Sequence, residues 1–328
     1  KQFVKMVSGE SLFRQTVRRV AHADDGLSLA DPVIISNARY LGLVEQQLAD
    51  AGITPLAILL EPCARNTAAV AAEYISRIDP DGLVLLLPAD HFIGTPAAFR
   101  KAIADAVEIA QGGRIVTFGI SPNRPETGFG YIKAGEAIGA SGFTVAAFRE
   151  KPDVATAMTY IADDTYSWNA GIFLFPASLM KTELAAHAPD VMEGAAAALD
   201  ATDASTTIMQ IDEPLFSGIR SISLDYAVME HTQKAAVVGP VSCAWSDVGT
   251  WPAWGDLQES ASDSGPILID TKNCTVHAGD GILVAALGLE DMVIAVQDGA
   301  VLVMPKSRSQ DVSLVIQALK ARGRTDLI

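Results

Sequence analysis

The chain has 328 residues, 49% of them hydrophobic and 19% charged, with a net charge of −15. That balance describes a globular protein long enough for one large domain or two smaller ones, and argues against a disordered chain. The acidic surplus makes nucleic acid and anionic membrane poor partners, so phosphate-bearing substrates would need local lysines, arginines or a metal to reverse the field.

No apolar run reaches the roughly 18 residues needed to cross a bilayer. The opening Lys1-Gln2-Phe3-Val4-Lys5 lacks the apolar core and small-residue cleavage site of a signal peptide. Three cysteines occur, Cys63, Cys243 and Cys274, without a C-x-x-C pair. This spacing speaks against a disulfide framework or zinc ribbon and for a reducing cytoplasm.

In chain order, a helix is expected over 12–21, a strand over 32–36, a helix over 38–51 and a strand over 56–60. A helix over 67–78, a strand over 83–87, a helix over 96–110 and a strand over 114–119 follow. The strands are apolar throughout instead of alternating, which implies burial on both faces. With helices between them they predict an open, mostly parallel α/β sheet. Strands over 130–136, 143–148, 170–175 and 235–241 are more loosely spaced, with helices near 155–162 and 179–187 and a polar surface loop over 200–207. Beyond Ser260, short β segments at 267–269, 274–276, 282–286, 292–296 and 300–304 are punctuated by glycine and aspartate, and a helix over 310–322 closes the chain. A boundary at Ser260 divides it into 1–259 and 260–328, and no repeat is regular enough for a full solenoid.

Six segments carry candidate chemistry. Pro88-Ala89-Asp90-His91 follows an apolar strand, where α/β sheets bind ligands; Asp90 either holds a hard cation such as Mg²⁺ or merely ends the strand or caps the next helix. Trp245-Ser246-Asp247-Val248-Gly249-Thr250-Trp251 offers a second carboxylate that is an ordinary turn by itself. Paired with Asp90, it can clamp one Mg²⁺ between nucleotide and sugar phosphates. In Phe148-Arg149-Glu150-Lys151-Pro152, Glu150 can accept from sugar hydroxyls and Lys151 can meet a phosphate, unless the cluster is simply a solvated strand end. Glu61-Pro62-Cys63-Ala64-Arg65-Asn66-Thr67-Ala68 joins a strand to a helix that Asn66 or Thr67 can cap, while Glu61 and Arg65 are placed to read a base edge. Gly128 and Gly130 in Glu126-Thr127-Gly128-Phe129-Gly130-Tyr131 allow close backbone approach or a plain hairpin turn. Asn169, before an apolar strand, suits sugar hydroxyls or closes a turn.

The ordered series E-P-x-x-R-N-T-A, P-A-D-H, T-G-F-G-Y-I, F-R-E-K-P, W-N-A-G-I-F, S-L-D-Y-A-V-M-E and W-S-D-V-G-T-W closely resembles bacterial GDP-mannose pyrophosphorylases (mannose-1-phosphate guanylyltransferases) over nearly the whole chain. The resemblance implies a Rossmann-like, doubly wound mixed sheet followed by a short left-handed β-helical segment used in dimerisation. It implies GTP and mannose 1-phosphate as substrates, GDP-mannose and diphosphate as products, Mg²⁺ as cofactor and a cytoplasmic homodimer. Carried over, Asp90 and Asp247 match the Mg²⁺ ligands. Glu150, Lys151, Asn169 and Gly130 match sugar and phosphate contacts, and Glu61, Arg65, Asn66 and Thr67 fall in the guanine-reading segment. Lys1 matches a lysine lying against the triphosphate, and Asp225 orients the sugar or supports the metal. Ala170 and Ile172 replace the usual serine and methionine.

The family's first strand and its phosphate-cradling glycine-rich loop are not in the sequence, so roughly 15–30 residues are expected before Lys1. Without that strand the segments 33–36 and 83–87 would flank an empty slot. The competing readings are a UTP- or dTTP-dependent glucose-1-phosphate nucleotidylyltransferase and a non-catalytic regulatory subunit of the same fold. A metal-dependent glycosyltransferase is disfavoured because it would carry a D-x-D pair.

Overall fold

A computed structural model describes residues 2–4, 9–21, 27–76, 78–248, 266–278, 282–297 and 299–324. They divide into two compact units, one of Lys1–Val4 with Ser11–Trp245, the other of Lys5–Glu10 with Ser246–Ile328. Ser260 lies outside the described residues.

The first unit begins with α1 (Leu12–Ala21), which buries Leu12, Phe13 and Val17 on one stripe. Then come β1 (Val33–Asn37), α2 (Leu41–Ala51), β2 (Ala57–Glu61) and α3 (Thr67–Ile75). Gly52 ends α2 at φ 69°, a left-handed turn that costs a glycine nothing. After β3 (Leu83–Leu86) and the short β4 (Phe92–Ile93), α4 (Pro96–Gln111) buries Phe99, Ile103 and Ala106 at helical spacing. The remaining strands are β5 (Ile115–Ile120), β6 (Tyr131–Ile138), β7 (Gly142–Arg149), β8 (Tyr166–Pro176), β9 (Ile208–Gln210), β10 (Ala235–Val238) and β11 (Trp245–Ser246). Between them run α5 (Val154–Ile161), α6 (Ala177–His187), α7 (Pro189–Asp200) and α8 (Glu213–Ser217), and a π-helical turn spans Asp225–Met229.

The strands form two main sheets. β1, β2 and β9 are all parallel. The other sheet has the order β3-β8-β5-β10-β7-β6. Within it only β5 and β10 are parallel neighbours; β8 runs antiparallel to β3 and β5, and β7 runs antiparallel to β6 and β10. The α/β class holds, but the mostly parallel order expected from the first 120 residues does not. β8 is the reason. It comes from later in the chain and inserts antiparallel between two strands of the early α/β segment, so the sheet is mixed. β5 is buried throughout, as its almost wholly apolar run requires.

The second unit contains β12 (Ile267–Ile269), β13 (Thr275–Ala278), β14 (Ala285–Leu287), β15 (Met292–Gln297), β16 (Ala300–Pro305) and α9 (Val312–Ala321). Its parallel pairs share one 18-residue offset: Ile267 with Ala285, Lys272 with Glu290, Thr275 with Val293. The corners repeat at that offset too. Asp270 and Gly288 both have positive φ, as do Asn273 and Asp291, residue types that tolerate the left-handed region. Asn273 Nδ2 donates to Asp291 Oδ1 at 2.5 Å, stacking one corner on the next. This is a β-helix-like coil, closed by the antiparallel β15–β16 pair.

Candidate active site

β8 is not a regular strand. Its register against β5 shifts between Thr117 and Gly119, and Gly171 takes φ 67° within it. Asn169 fills this irregularity. Its Oδ1 accepts from Gly171 N at 3.2 Å and from Thr117 Oγ1 at 2.7 Å, while its backbone N donates to Gly130 O at 2.8 Å. With Oδ1 fixed as the acceptor, Nδ2 must face the other way, and it donates to Asp225 Oδ1 at 2.7 Å. The amide expected to read sugar hydroxyls is therefore largely committed to holding a carboxylate.

Asp225 opens the π-helical turn, where Glu230 N donates to Asp225 O at 3.0 Å. Glu230 Oε1 in turn accepts from Glu150 N at 3.1 Å. Lys151 Nζ lies 3.5 Å from Glu150 Oε1, with Lys151 held at φ 46° and its N donating to Phe129 O. A non-glycine residue at that φ is strained, and such strain collects at functional sites. Gly130 completes the wall: a Cβ there would come 2.5 Å from Glu150 Oε2 and 3.3 Å from Asn169 Cβ. Glu150, Lys151, Asn169, Asp225 and Gly130 are thus brought together, with one ammonium beside several carboxyls. Burial and then the Asp225 charge push Glu150 up to about 7, against the pull of Lys151. Burial likewise raises Asp225, opposed in part by the Asn169 hydrogen bond.

The loop over 61–68, expected to read a base, connects to this cluster through hydrogen bonds. Thr67 Oγ1 accepts from Leu224 N at 2.9 Å, and Ala68 N donates to Ile222 O at 3.3 Å, so the start of α3 is tied to the turn bearing Asp225. Asn66 sits at φ 70° and accepts from Thr67 N with its side chain, a capping role held in a strained backbone. Arg65 is anchored to the carbonyls of Ala64 and Ser217. Glu61 ends β2 opposite Asn37, with Oε1 buried and without a hydrogen-bond partner. Burial pushes its carboxyl up to about 7.

Asp90 follows β3 with its side chain 40% exposed, and its Oδ1 lies 3.9 Å from His91 Nε2. Trp245 Nε1 donates to His91 Nδ1 at 3.3 Å, so the imidazole carries its proton on Nε2, toward Asp90. Asp247 belongs to the second unit, where Val248 N donates to Ser246 Oγ at 3.1 Å. Among the described residues no three His, Cys, Asp or Glu side chains gather to hold a metal. Mg²⁺ needs no such cage, since one or two carboxylates, water and substrate phosphates suffice, and an accessible carboxylate at a strand end fits that chemistry. Lys1, Gly249 and Thr250 lie outside the described residues.

Sequence reasoning missed Thr117, Glu230 and Glu73. Glu230 was detectable as the last residue of the S-L-D-Y-A-V-M-E run. Thr117 had no signal beyond being the one hydroxyl in an apolar strand. Glu73 is the single charge in α3, completely buried with neither carboxyl oxygen hydrogen-bonded. Burial and then the Glu61 charge raise its pKa well above the usual range.

This mixed α/β sheet, with its carboxylate–lysine cluster tied to the loop over 61–68, is that of a nucleotidyltransferase: residues 1–264 match the nucleotidyl transferase family model. Residues 265–319 match the MannoseP isomerase/GMP-like beta-helix domain. The alginate biosynthesis protein AlgA of Pseudomonas aeruginosa is 40% identical over 336 residues, 99% of this chain and 69% of that protein. A mannose-1-phosphate guanylyltransferase of Escherichia coli is 40% identical over 337 residues, 99% of this chain and 70% of that protein. The crystal structure of a mannose-1-phosphate geranyltransferase from Thermus thermophilus superposes with a TM-score of 0.79 at 30% identity, covering 98% of this chain and 92% of that one. The chain belongs to the nucleotidyl transferase family and, within it, groups with the mannose-1-phosphate guanylyltransferases.

Proposed function

We infer that this protein converts GTP and α-D-mannose 1-phosphate to GDP-mannose and diphosphate. The observation carrying the inference is the continuous set of hydrogen bonds from Thr67 through the Asp225 turn to Asn169, which ties a base-reading loop to a sugar-phosphate cluster. The phosphate oxygen of the sugar attacks the α-phosphorus in line and diphosphate leaves, so positioning and charge neutralisation do most of the work. Glu150 and Asp225 accept from sugar hydroxyls, with Asn169 holding Asp225 in place and Gly130 leaving room for the Glu150 carboxylate. Lys151, 55% exposed, meets the phosphate. Glu61, Arg65 and Asn66 read the guanine, and Lys1 lies along the triphosphate. Asp90 and Asp247 would hold Mg²⁺, which when bound neutralises charge developing on the phosphates.

Exposed apolar side chains of the second unit, among them Leu283, Leu287, Val301 and Leu314, support a homodimer joined there. No described helix is long and apolar enough to cross a membrane. The sparse cysteines without a C-x-x-C pair support a cytoplasmic enzyme, and the net charge of −15 disfavours nucleic acid as a partner. The rival reading differs in the base, UTP or dTTP with a glucose 1-phosphate. Diphosphate release measured with each nucleoside triphosphate and mannose 1-phosphate separates the two. GTP is expected to dominate, and a clear preference for UTP or dTTP would replace this reading with the rival.

A further inference from the structure

β7 makes its last pair with β6 at Arg149, opposite Tyr131. The next two amides then turn to different partners. Glu150 N donates to Glu230 Oε1 at 3.1 Å, and Lys151 N donates to Phe129 O at 3.2 Å. At these two anchors the chain turns, with Lys151 at φ 46°. A lysine in the left-handed region persists only where its surroundings fix it. A hydrogen bond to a charged acceptor is comparable in size to that backbone cost, so the Glu230 bond helps hold the turn. The turn in question sets Lys151 Nζ 3.5 Å from Glu150 Oε1.

The π-helical turn explains how one short segment supplies both Asp225 and Glu230. In an α-helix, residues five apart lie about 140° apart around the axis. Here Glu230 N donates to Asp225 O across five residues, and in this wider turn both carboxyls act on Glu150. We infer that Glu230 is a positioning residue for the sugar phosphate, acting through Glu150 and Lys151. Its Oε1 fixes the turn that brings those two side chains together, and its charge bears on the Glu150 carboxyl. The inference rests on the sugar-phosphate role proposed for Glu150 and Lys151.

Two substitutions separate the acceptor from the charge. Glu230→Gln keeps an Oε1 acceptor and loses the charge, whereas Glu230→Leu loses both. The first readout needs no substrate. Amide exchange at Glu150 is expected to quicken about tenfold in Glu230→Leu and to stay within about threefold of wild type in Glu230→Gln. In steady-state kinetics Glu230→Leu is expected to lose about tenfold or more in kcat/KM for mannose 1-phosphate, with KM for GTP little changed. Glu230→Gln stays within about threefold at its own optimal pH. Burial and then the Asp225 charge hold the Glu150 pKa up, Lys151 opposes them, and the Glu230 charge adds a smaller upward push. Glu230→Gln therefore moves the pH inflection of kcat/KM for the sugar phosphate to lower pH, which a merely structural residue would not do. Unchanged exchange at Glu150 in Glu230→Leu, a loss shared equally by both substrates, or an unmoved inflection in Glu230→Gln would overturn the inference. Should Glu230→Leu fail to fold, the pH profile of Glu230→Gln decides alone. A wild-type protein that leaves mannose 1-phosphate untouched would refute the proposed reaction, while amide exchange would still decide whether Glu230 holds the turn.

Discussion

The Asn169 carboxamide donates to Asp225 Oδ1 at 2.7 Å, joining residues 56 apart in sequence within the cluster proposed to bind the sugar phosphate. Asn169 cannot rotate its amide without losing the Gly171 and Thr117 bonds at Oδ1, so the donor is aimed at the carboxylate by the fold itself. Asn169→Ala removes a hydrogen bond to a charged group, of about 1.5–3 kcal/mol. The expected result is a ten- to hundredfold loss of kcat/KM for mannose 1-phosphate, by roughly 1.4 kcal/mol per decade, with KM for GTP little changed. Steady-state kinetics with each substrate varied checks this; an equal loss toward both substrates would mean the bond supports the fold rather than the sugar.

Glu150 sets a pH dependence. Its pKa is raised to about 7, by burial first and the Asp225 charge second. Below that value it is protonated and loses acceptor capacity, so kcat/KM for the sugar phosphate rises with pH through about 7. Glu150→Gln lowers activity and removes this inflection. A pH profile whose inflection persists in Glu150→Gln would assign it to another group.

Glu73 sets a stability dependence of opposite sense. Its folded pKa lies well above its unfolded value of about 4.3. Its contribution is complete below the unfolded value and is lost as pH rises through the folded one. Glu73→Met is expected to stabilise the protein by about 1–3 kcal/mol, the usual cost of an unsatisfied buried polar group, and by more at pH 8 than at pH 5. Denaturant midpoints of both proteins at the two pH values measure it. A variant less stable at pH 8 would mean the carboxylate has a structural partner.

Asp90 carries the metal prediction. Asp90→Asn keeps the shape and removes the charge, and is expected to cut turnover at least a hundredfold while leaving the thermal melt unchanged, as does chelation of Mg²⁺. His91→Phe keeps the ring but deletes the Nε2–H facing Asp90 and the acceptor of Trp245, with an expected loss of about tenfold and a raised Mg²⁺ requirement. Near-normal rates in Asp90→Asn at ordinary Mg²⁺ would remove Asp90 from the metal site.

The early elements were legible because their signals are local. Unbroken apolar runs mark β1, β2, β3 and β5, and glycine at Gly52 marks a helix end. α7 was not legible: PDVMEGAAAALD is mostly small residues, which give little contrast between faces. β8 was read as 170–175 but extends back to Tyr166, because its partners β5 and β6, distant in sequence, decide its length. The same holds for the site. Glu150, Lys151 and Asn169 were visible as motif residues. That Asn169 serves Asp225, and that Glu230 holds the Glu150 backbone, depends on the bulge in β8 and the π-helical turn, which periodicity does not reveal.

The central claim is guanylyl transfer to mannose 1-phosphate, and ³¹P NMR of one reaction tests it most directly. The protein with Mg²⁺, GTP and mannose 1-phosphate is expected to convert the sugar-phosphate resonance into the paired diphosphate resonances of GDP-mannose, with one free diphosphate per product. UTP in place of GTP leaves the spectrum essentially unchanged. An unaltered mannose 1-phosphate signal with GTP, or faster product formation with UTP or dTTP, would contradict the account.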